Sequence, residues 1–108
     1  MALTIHEQIK SGCVEIPSFT IEHILPDSQN RENAIIGNLM PLEEKLNRLC
    51  DDKPLNEKIQ FYDSSSFVTA RNIAIRYRDN VDNFNVEKRT TRMAKELYNE
   101  VDRIVNTI

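Results

Sequence analysis

The sequence predicts an α+β domain with few strands: a small antiparallel hairpin plus helix embedded in a mainly helical chain. Three observations predict it. Residues 18–25 are rich in β-branched and aromatic residues, 34–40 reads as a second short strand, and the two flank a polar stretch with turn chemistry. Pro41 and Pro54 each open a segment that reads as a helix start. The strongest periodic signal closes the chain, where Val86, Met93, Leu97, Val101, Ile104 and Ile108 are spaced by one seven, three fours and one three.

Taken in order, residues 2–10 read as a short helix followed by a turn at Ser11-Gly12. Pro17 and Pro26 bracket Ser18-Phe19-Thr20-Ile21-Glu22-His23-Ile24-Leu25, a segment long enough for one strand. Asp27-Ser28-Gln29-Asn30-Arg31-Glu32-Asn33 is a polar loop, and Ala34-Ile35-Ile36-Gly37-Asn38-Leu39-Met40 reads as the returning strand. Pro41 at a first helical position, Glu43 and Glu44 in the first turn, and Leu42, Leu46 and Leu49 at i, i+4 and i+7 predict the next helix. At 100° per residue, Asn47 lies about 140° from Leu42 and about 100° from Leu46, away from the middle of that stripe. Pro54 starts a helical segment through Gln60, and residues 63–66 offer N-caps for a helix over roughly 66–78, with Phe67, Ala70, Ala74 and Tyr77 inside. Asn85 is the expected cap of the last helix. The expectation is a single domain over 1–108, with a motif core at about 19–50 and a helical remainder at about 54–108.

Composition excludes several function classes. The 108 residues hold 14 Lys+Arg against 17 Asp+Glu, a net charge of -3, which does not suit a nucleic-acid binder working by bulk charge. With 40% hydrophobic and 29% charged residues the chain is globular in composition. No run approaches the roughly 18 to 20 apolar residues of a membrane span, so a soluble, cytoplasmic protein without membrane contact is expected. Cys13 and Cys50 form no Cys-x-x-Cys pair, and reduced, inert thiols are expected. Gly12 and Gly37 are the two glycines, too few for a phosphate-cradling loop. The acidic excess sits in residues 1–36, whereas Lys45, Arg48, Lys53, Lys58, Arg71, Arg76, Arg78, Arg89 and Arg92 come later. Phe19, Phe61, Tyr62, Phe67, Tyr77, Phe84 and Tyr98 are spaced like core residues and form no stacking platform for single strands.

The two histidines differ. His6 lies in a polar amphipathic segment and reads as a surface residue. His23 follows Glu22 in a predicted strand, Asn38 follows Gly37 in the return strand, and Asn47 lies on the next helix. A strand histidine beside a carboxylate is by itself more often a structural pair. The strand, strand, helix order, however, supplies what a single-metal phosphodiesterase needs: a base to activate water, oxygen ligands for a hard cation, and groups to fix both. Imidazole titrates near neutral pH, and a carboxylate and an amide oxygen suit Mg²⁺.

Ile21-Glu22-His23-Ile24-Leu25-Pro26, then Ile36-Gly37-Asn38-Leu39, then Lys45-Leu46-Asn47 resemble the motif set of an HNH (ββα-metal) endonuclease. The closest resemblance is to the C-terminal nuclease domain of GmrSD-type modification-dependent restriction enzymes. Lys53-Pro54-Leu55-Asn56-Glu57-Lys58 with Tyr62 and Ser64 to Ser66, and the tail from Phe84 to Ala94, are similar to later parts of that family. Asp27 after Leu-Pro, a short connection between Pro26 and Ile36, and Met40-Pro41 at the strand-to-helix junction depart from its usual pattern. The last of these bears on where the helix starts, and so on Asn47.

The resemblance implies a Mg²⁺- or Mn²⁺-dependent DNA endonuclease domain of a bacterial defence system against phage. His23 would be the general base, and Asn38 would hold the loop or orient His23. Asn47 would be a metal ligand on the helix and Glu22 a second. Neighbours on an ideal strand point to opposite faces, so Glu22 and His23 share a site only on a twisted or bulged strand. On a regular strand Glu22 acts through water or is structural. Lys45, Arg48 and Lys53 are the candidate phosphate contacts, which would position a duplex without reading its sequence. In full-length relatives an N-terminal nucleotide-dependent domain senses modified DNA, so a sensor domain or partner subunit outside this chain is implied. Two other classes compete: a degenerate HNH-like binding or regulatory module, and a purely structural helical interaction domain.

Overall fold

The computed structural model describes Gln8 and residues 18–26 and 36–107. The expected helix over 2–10, the Ser11-Gly12 turn, the 27–33 loop, and residues His6, Cys13 and Ile108 lie outside the described residues, apart from Gln8, which is helical. Strand β1 (Thr20–His23) pairs antiparallel with β2 (Leu39–Leu42) in a two-stranded sheet. Four helices come after it: α1 (Glu44–Cys50), α2 (Leu55–Tyr62), α3 (Val68–Tyr77) and α4 (Val86–Thr107). The expected α+β class, a hairpin in a mainly helical domain, is the observed one.

The return strand lies later than the sequence suggests. Residues Ile36–Asn38 form a 3₁₀ turn, and Pro41 and Leu42 belong to β2 rather than to the helix. Pro41 faces Ile21 in the ladder. Proline has no N–H to give, so this is a non-hydrogen-bonded position, which the edge of a two-stranded sheet tolerates. Leu42 is fully buried as a strand residue. Helix α1 consequently starts at Glu44, and the expected stripe dissolves: Leu46 is partly buried, Leu49 is exposed, and Cys50 takes the inward position.

Helix α2 buries Leu55, Lys58, Ile59 and Tyr62, spaced i, i+3, i+4 and i+7. Helix α3 buries Thr69, Ala70, Ile73 and Ala74, with Phe67 buried just before it. Its N-terminus is served from afar. The Glu43 carboxylate accepts from Ser65 Oγ (2.6 Å) and the Ser66 amide (3.0 Å), and Gln8 Oε1 accepts from the Val68 amide (2.7 Å). Asn85 caps α4 as expected, its Oδ1 accepting from the Lys88 amide at 2.9 Å. Phe67 meets Phe19 edge-on at 5.9 Å, and Tyr77 meets Phe84 edge-on at 5.3 Å.

Helix α4 docks on the 3₁₀ turn through a close approach that only glycine permits. A Cβ on Gly37 would lie 2.0 Å from Thr90 Oγ1 and 2.3 Å from the Val86 carbonyl oxygen. Arg89, buried, donates from Nη1 to the carbonyls of Gly37 (2.9 Å) and Leu39 (3.0 Å), and so holds the backbone on both sides of Asn38. Beyond this contact α4 leaves the core. Met93 is buried, but Leu97, Val101 and Ile104 are exposed, and Tyr98 is an exposed residue rather than the core residue its spacing suggested. No helix among the described residues is long and apolar enough to cross a membrane.

Candidate active site

The sheet register settles which residues share a face. Thr20, Ile21, Glu22 and His23 pair in unbroken sequence with Leu42, Pro41, Met40 and Leu39. Without a bulge, side chains alternate, and Glu22 and His23 point to opposite sides. Glu22 is 2% exposed. Its Oε2 accepts a hydrogen bond from Tyr62 Oη at 2.8 Å and lies 3.4 Å from Lys58 Nζ, and the buried Cys50 thiol lies close enough to feel its charge. Of the readings open for Glu22, a structural carboxylate on a regular strand is the one this geometry matches. The strand does not bring it to the His23 face.

Two groups beside Glu22, the Cys50 thiol and the Tyr62 phenol, are shifted. Burial first, then the adjacent Glu22 carboxylate, push the Cys50 thiol up to about 12. The same two causes push the Tyr62 phenol far above its ordinary range. An inert, reduced Cys50 is what the sequence led one to expect, and the structure has it free and buried.

His23 ends β1 with its side chain half-buried and its ring without a hydrogen-bond partner among the described residues. The main chain just beyond it is held firmly. Asn38, fully buried, accepts from the Leu25 amide through Oδ1 (2.8 Å) and donates from Nδ2 to the Leu25 carbonyl (2.9 Å). Its backbone carbonyl accepts from the Ile24 amide at 2.9 Å. Asn38 therefore bonds the main chain at both Ile24 and Leu25, just past His23.

Asn47 faces β1. Its Nδ2 donates to Thr20 Oγ1 (2.7 Å) and to the Ile21 carbonyl (3.1 Å), and Thr20 Oγ1 in turn donates to the Leu42 carbonyl (3.1 Å). The Thr20 proton is thus used, and both partners of Asn47 act as acceptors. That fixes the amide's orientation: the nitrogen is turned to β1, and Oδ1 is the atom left to accept. Asn47 is half-buried, and no donor among the described residues bonds its Oδ1.

The three candidate phosphate contacts are exposed. Arg48 is paired with Glu44 one turn away, and Lys53 donates to the Leu49 carbonyl at 2.9 Å, closing the end of α1. Exposed pairs of this kind are weakly held, so both side chains are available to move.

Two residues of this centre carry no role in the motif comparison. Lys58 Nζ donates to the carbonyls of His23 (2.6 Å) and Ile24 (3.3 Å), and Tyr62 supports Glu22. A signal for Lys58 exists in the sequence, since it occupies the apolar stripe of α2, where lysine is unusual unless paired.

Among the described residues no group of three or more His, Cys, Asp or Glu side chains is placed to hold a metal ion. The strand carboxylate, Glu22, is turned inward, and Asn47 bonds the side chain of Thr20, which alternation places on the Glu22 side of β1 rather than the His23 side.

A hairpin leading into a helix, with a histidine closing the first strand and asparagines bonded to the turn and to β1, makes a small ββα unit inside a mainly helical domain. The family model for the C-terminal domain of GmrSD restriction endonucleases matches residues 3–96. The chain belongs to that family, one of nuclease domains from restriction systems. No curated protein and no solved structure matches it.

Proposed function

We propose that this domain is an HNH-type endonuclease that hydrolyses DNA phosphodiesters in the cytoplasm as the effector of a restriction defence, with His23 as general base. The observation that carries this reading is the built setting of His23: a half-buried imidazole on the face opposite a buried ion pair, at the end of a strand whose continuation is bonded by Asn38. A neutral imidazole takes a proton from water as the water oxygen bonds to phosphorus and the bond to the leaving sugar oxygen breaks. Asn38 and Asn47 do no chemistry on that proton. They hold β1, the turn and α1 in one arrangement.

A divalent cation, Mg²⁺ or Mn²⁺, would stabilise charge developing on the phosphate and the leaving oxygen. Asn47 fits as its ligand, because Oδ1 is the amide's remaining acceptor and Mg²⁺ keeps most of its waters and asks for few protein oxygens. Glu22 does not fit as a partner ligand, since its carboxylate is buried and engaged by Tyr62 and Lys58. Lys45, Arg48 and Lys53 are the proposed phosphate contacts on and after α1. With a net charge of -3 the domain binds DNA weakly by itself, and recognition falls to a sensor domain or partner subunit.

The inward turn of Glu22 also favours a second reading, a catalytically degenerate HNH-like module that binds DNA or regulates a partner. Plasmid nicking with Mg²⁺ or Mn²⁺, run in parallel on the wild type and His23→Ala, separates the two. Metal-dependent nicking that is lost in the variant supports the nuclease. Nicking unchanged in the variant removes His23 as base, and none from a folded, metal-supplied protein leaves the binding module.

A further inference from the structure

Helix α2 carries a lysine on its apolar stripe, and this lysine is fully buried. A buried ammonium is costly unless its three N–H bonds find acceptors. For Lys58 there are three: the His23 carbonyl at 2.6 Å, the Ile24 carbonyl at 3.3 Å and Glu22 Oε2 at 3.4 Å. A lysine present only to neutralise Glu22 would make the carboxylate its nearest partner. Here the carboxylate is the farthest of the three, and the shortest contact goes to the backbone of His23.

That contact completes a clamp on one peptide unit. The peptide joining His23 to Ile24 has its carbonyl bonded by Lys58 and its N–H bonded by the Asn38 carbonyl at 2.9 Å. A planar peptide held at both edges fixes the backbone torsions on either side of it, and with them the direction of the His23 Cα–Cβ bond. The ring has no hydrogen bond of its own among the described residues, so the constraint on where the imidazole lies comes through the main chain.

We propose that Lys58 is a positioning residue for the hydrolytic reaction, anchored by Glu22 and holding the His23 backbone so that the imidazole faces the substrate side. The inference rests on His23 being the general base, and its test separates the two. Lys58→Met alone would strand a buried carboxylate, so Glu22→Gln/Lys58→Met is compared with Glu22→Gln, and the difference between them belongs to Lys58. Supercoiled-plasmid nicking with Mg²⁺ and the NMR signals of the His23 ring are the two readouts, with circular dichroism reporting folding. Displacement of a catalytic group by about 1 Å costs on the order of a hundredfold in rate. The double variant is therefore expected to lose about that factor in kcat relative to Glu22→Gln, with KM for DNA little changed and the ring signals shifted or broadened.

A folded double variant with nicking within about threefold of Glu22→Gln and unshifted ring signals overturns the proposal. If the double variant does not fold, Lys58→Arg keeps the charge and moves the donor off the His23 carbonyl, and the same readouts decide. If the wild type does not nick, or His23→Ala nicks normally, the nuclease reading fails. The ring signals then decide the role of Lys58 alone.

Discussion

The ammonium of Lys58 lies 3.4 Å from the carboxylate of Glu22, with neither side chain more than 2% exposed. Removing one member leaves an uncompensated charge in the core. Lys58→Met should therefore destabilise the domain by about 3–5 kcal/mol, and Glu22→Gln/Lys58→Met by less. Urea unfolding of the two variants checks the order. A double variant no more stable than Lys58→Met would show that the lost backbone contacts outweigh the stranded charge.

Gly37→Ala should destabilise by about 3 kcal/mol or more, at the upper end of overpacking costs. Its Cβ would fall 2.0 Å from Thr90 Oγ1 and 2.3 Å from the Val86 carbonyl, and backbone in a helix cannot step aside. Thr90→Ala in the same chain relieves only the first clash, so the pair should remain well below wild type in thermal melting.

The buried thiol and phenol beside Glu22 make stability fall at alkaline pH. Cys50 rises from its ordinary 9.0 to about 12 in the folded state, and Tyr62 rises from 10.0. Both hold their protons more tightly folded than unfolded. Their contribution is complete below about pH 9 and is lost as pH climbs from there through the folded values. Melting temperatures should decline between about pH 9 and 11, with a shallower slope in Cys50→Ala/Tyr62→Phe. The thiol should also resist alkylation at about pH 8 until the protein unfolds.

Asn47→Ala should cost about 1–2 kcal/mol, the loss of bonds to Thr20 and Ile21. If Asn47 holds the cation, the variant should also need a higher Mg²⁺ concentration for half-maximal nicking. An unchanged Mg²⁺ dependence with reduced stability would confine Asn47 to a structural role.

Much of the fold was legible because its signals are local. Asn85 caps α4 through an amide three residues away, and Pro54 precedes α2 where a proline-led start was expected. Pro41 misled for the same reason. Proline followed by Leu and two Glu suits a first helical turn, but it also suits the end of an edge strand, and only pairing with Ile21 decides between them. The last helix carries the strongest period in the chain, yet Leu97, Val101 and Ile104 remain exposed, because periodicity reports an apolar face and not what covers it.

The order of His23, Asn38 and Asn47 on strand, turn and helix was legible in the sequence, as was the family. Direction was not. Glu22 and His23 are neighbours in sequence, and nothing within a few residues says which of them faces the core. That was decided by Tyr62, 40 residues on, and by Lys58, which α2 brings together around the Glu22 carboxylate. A charge is buried only where desolvation is offset by partners, and those partners exist only once the chain has folded.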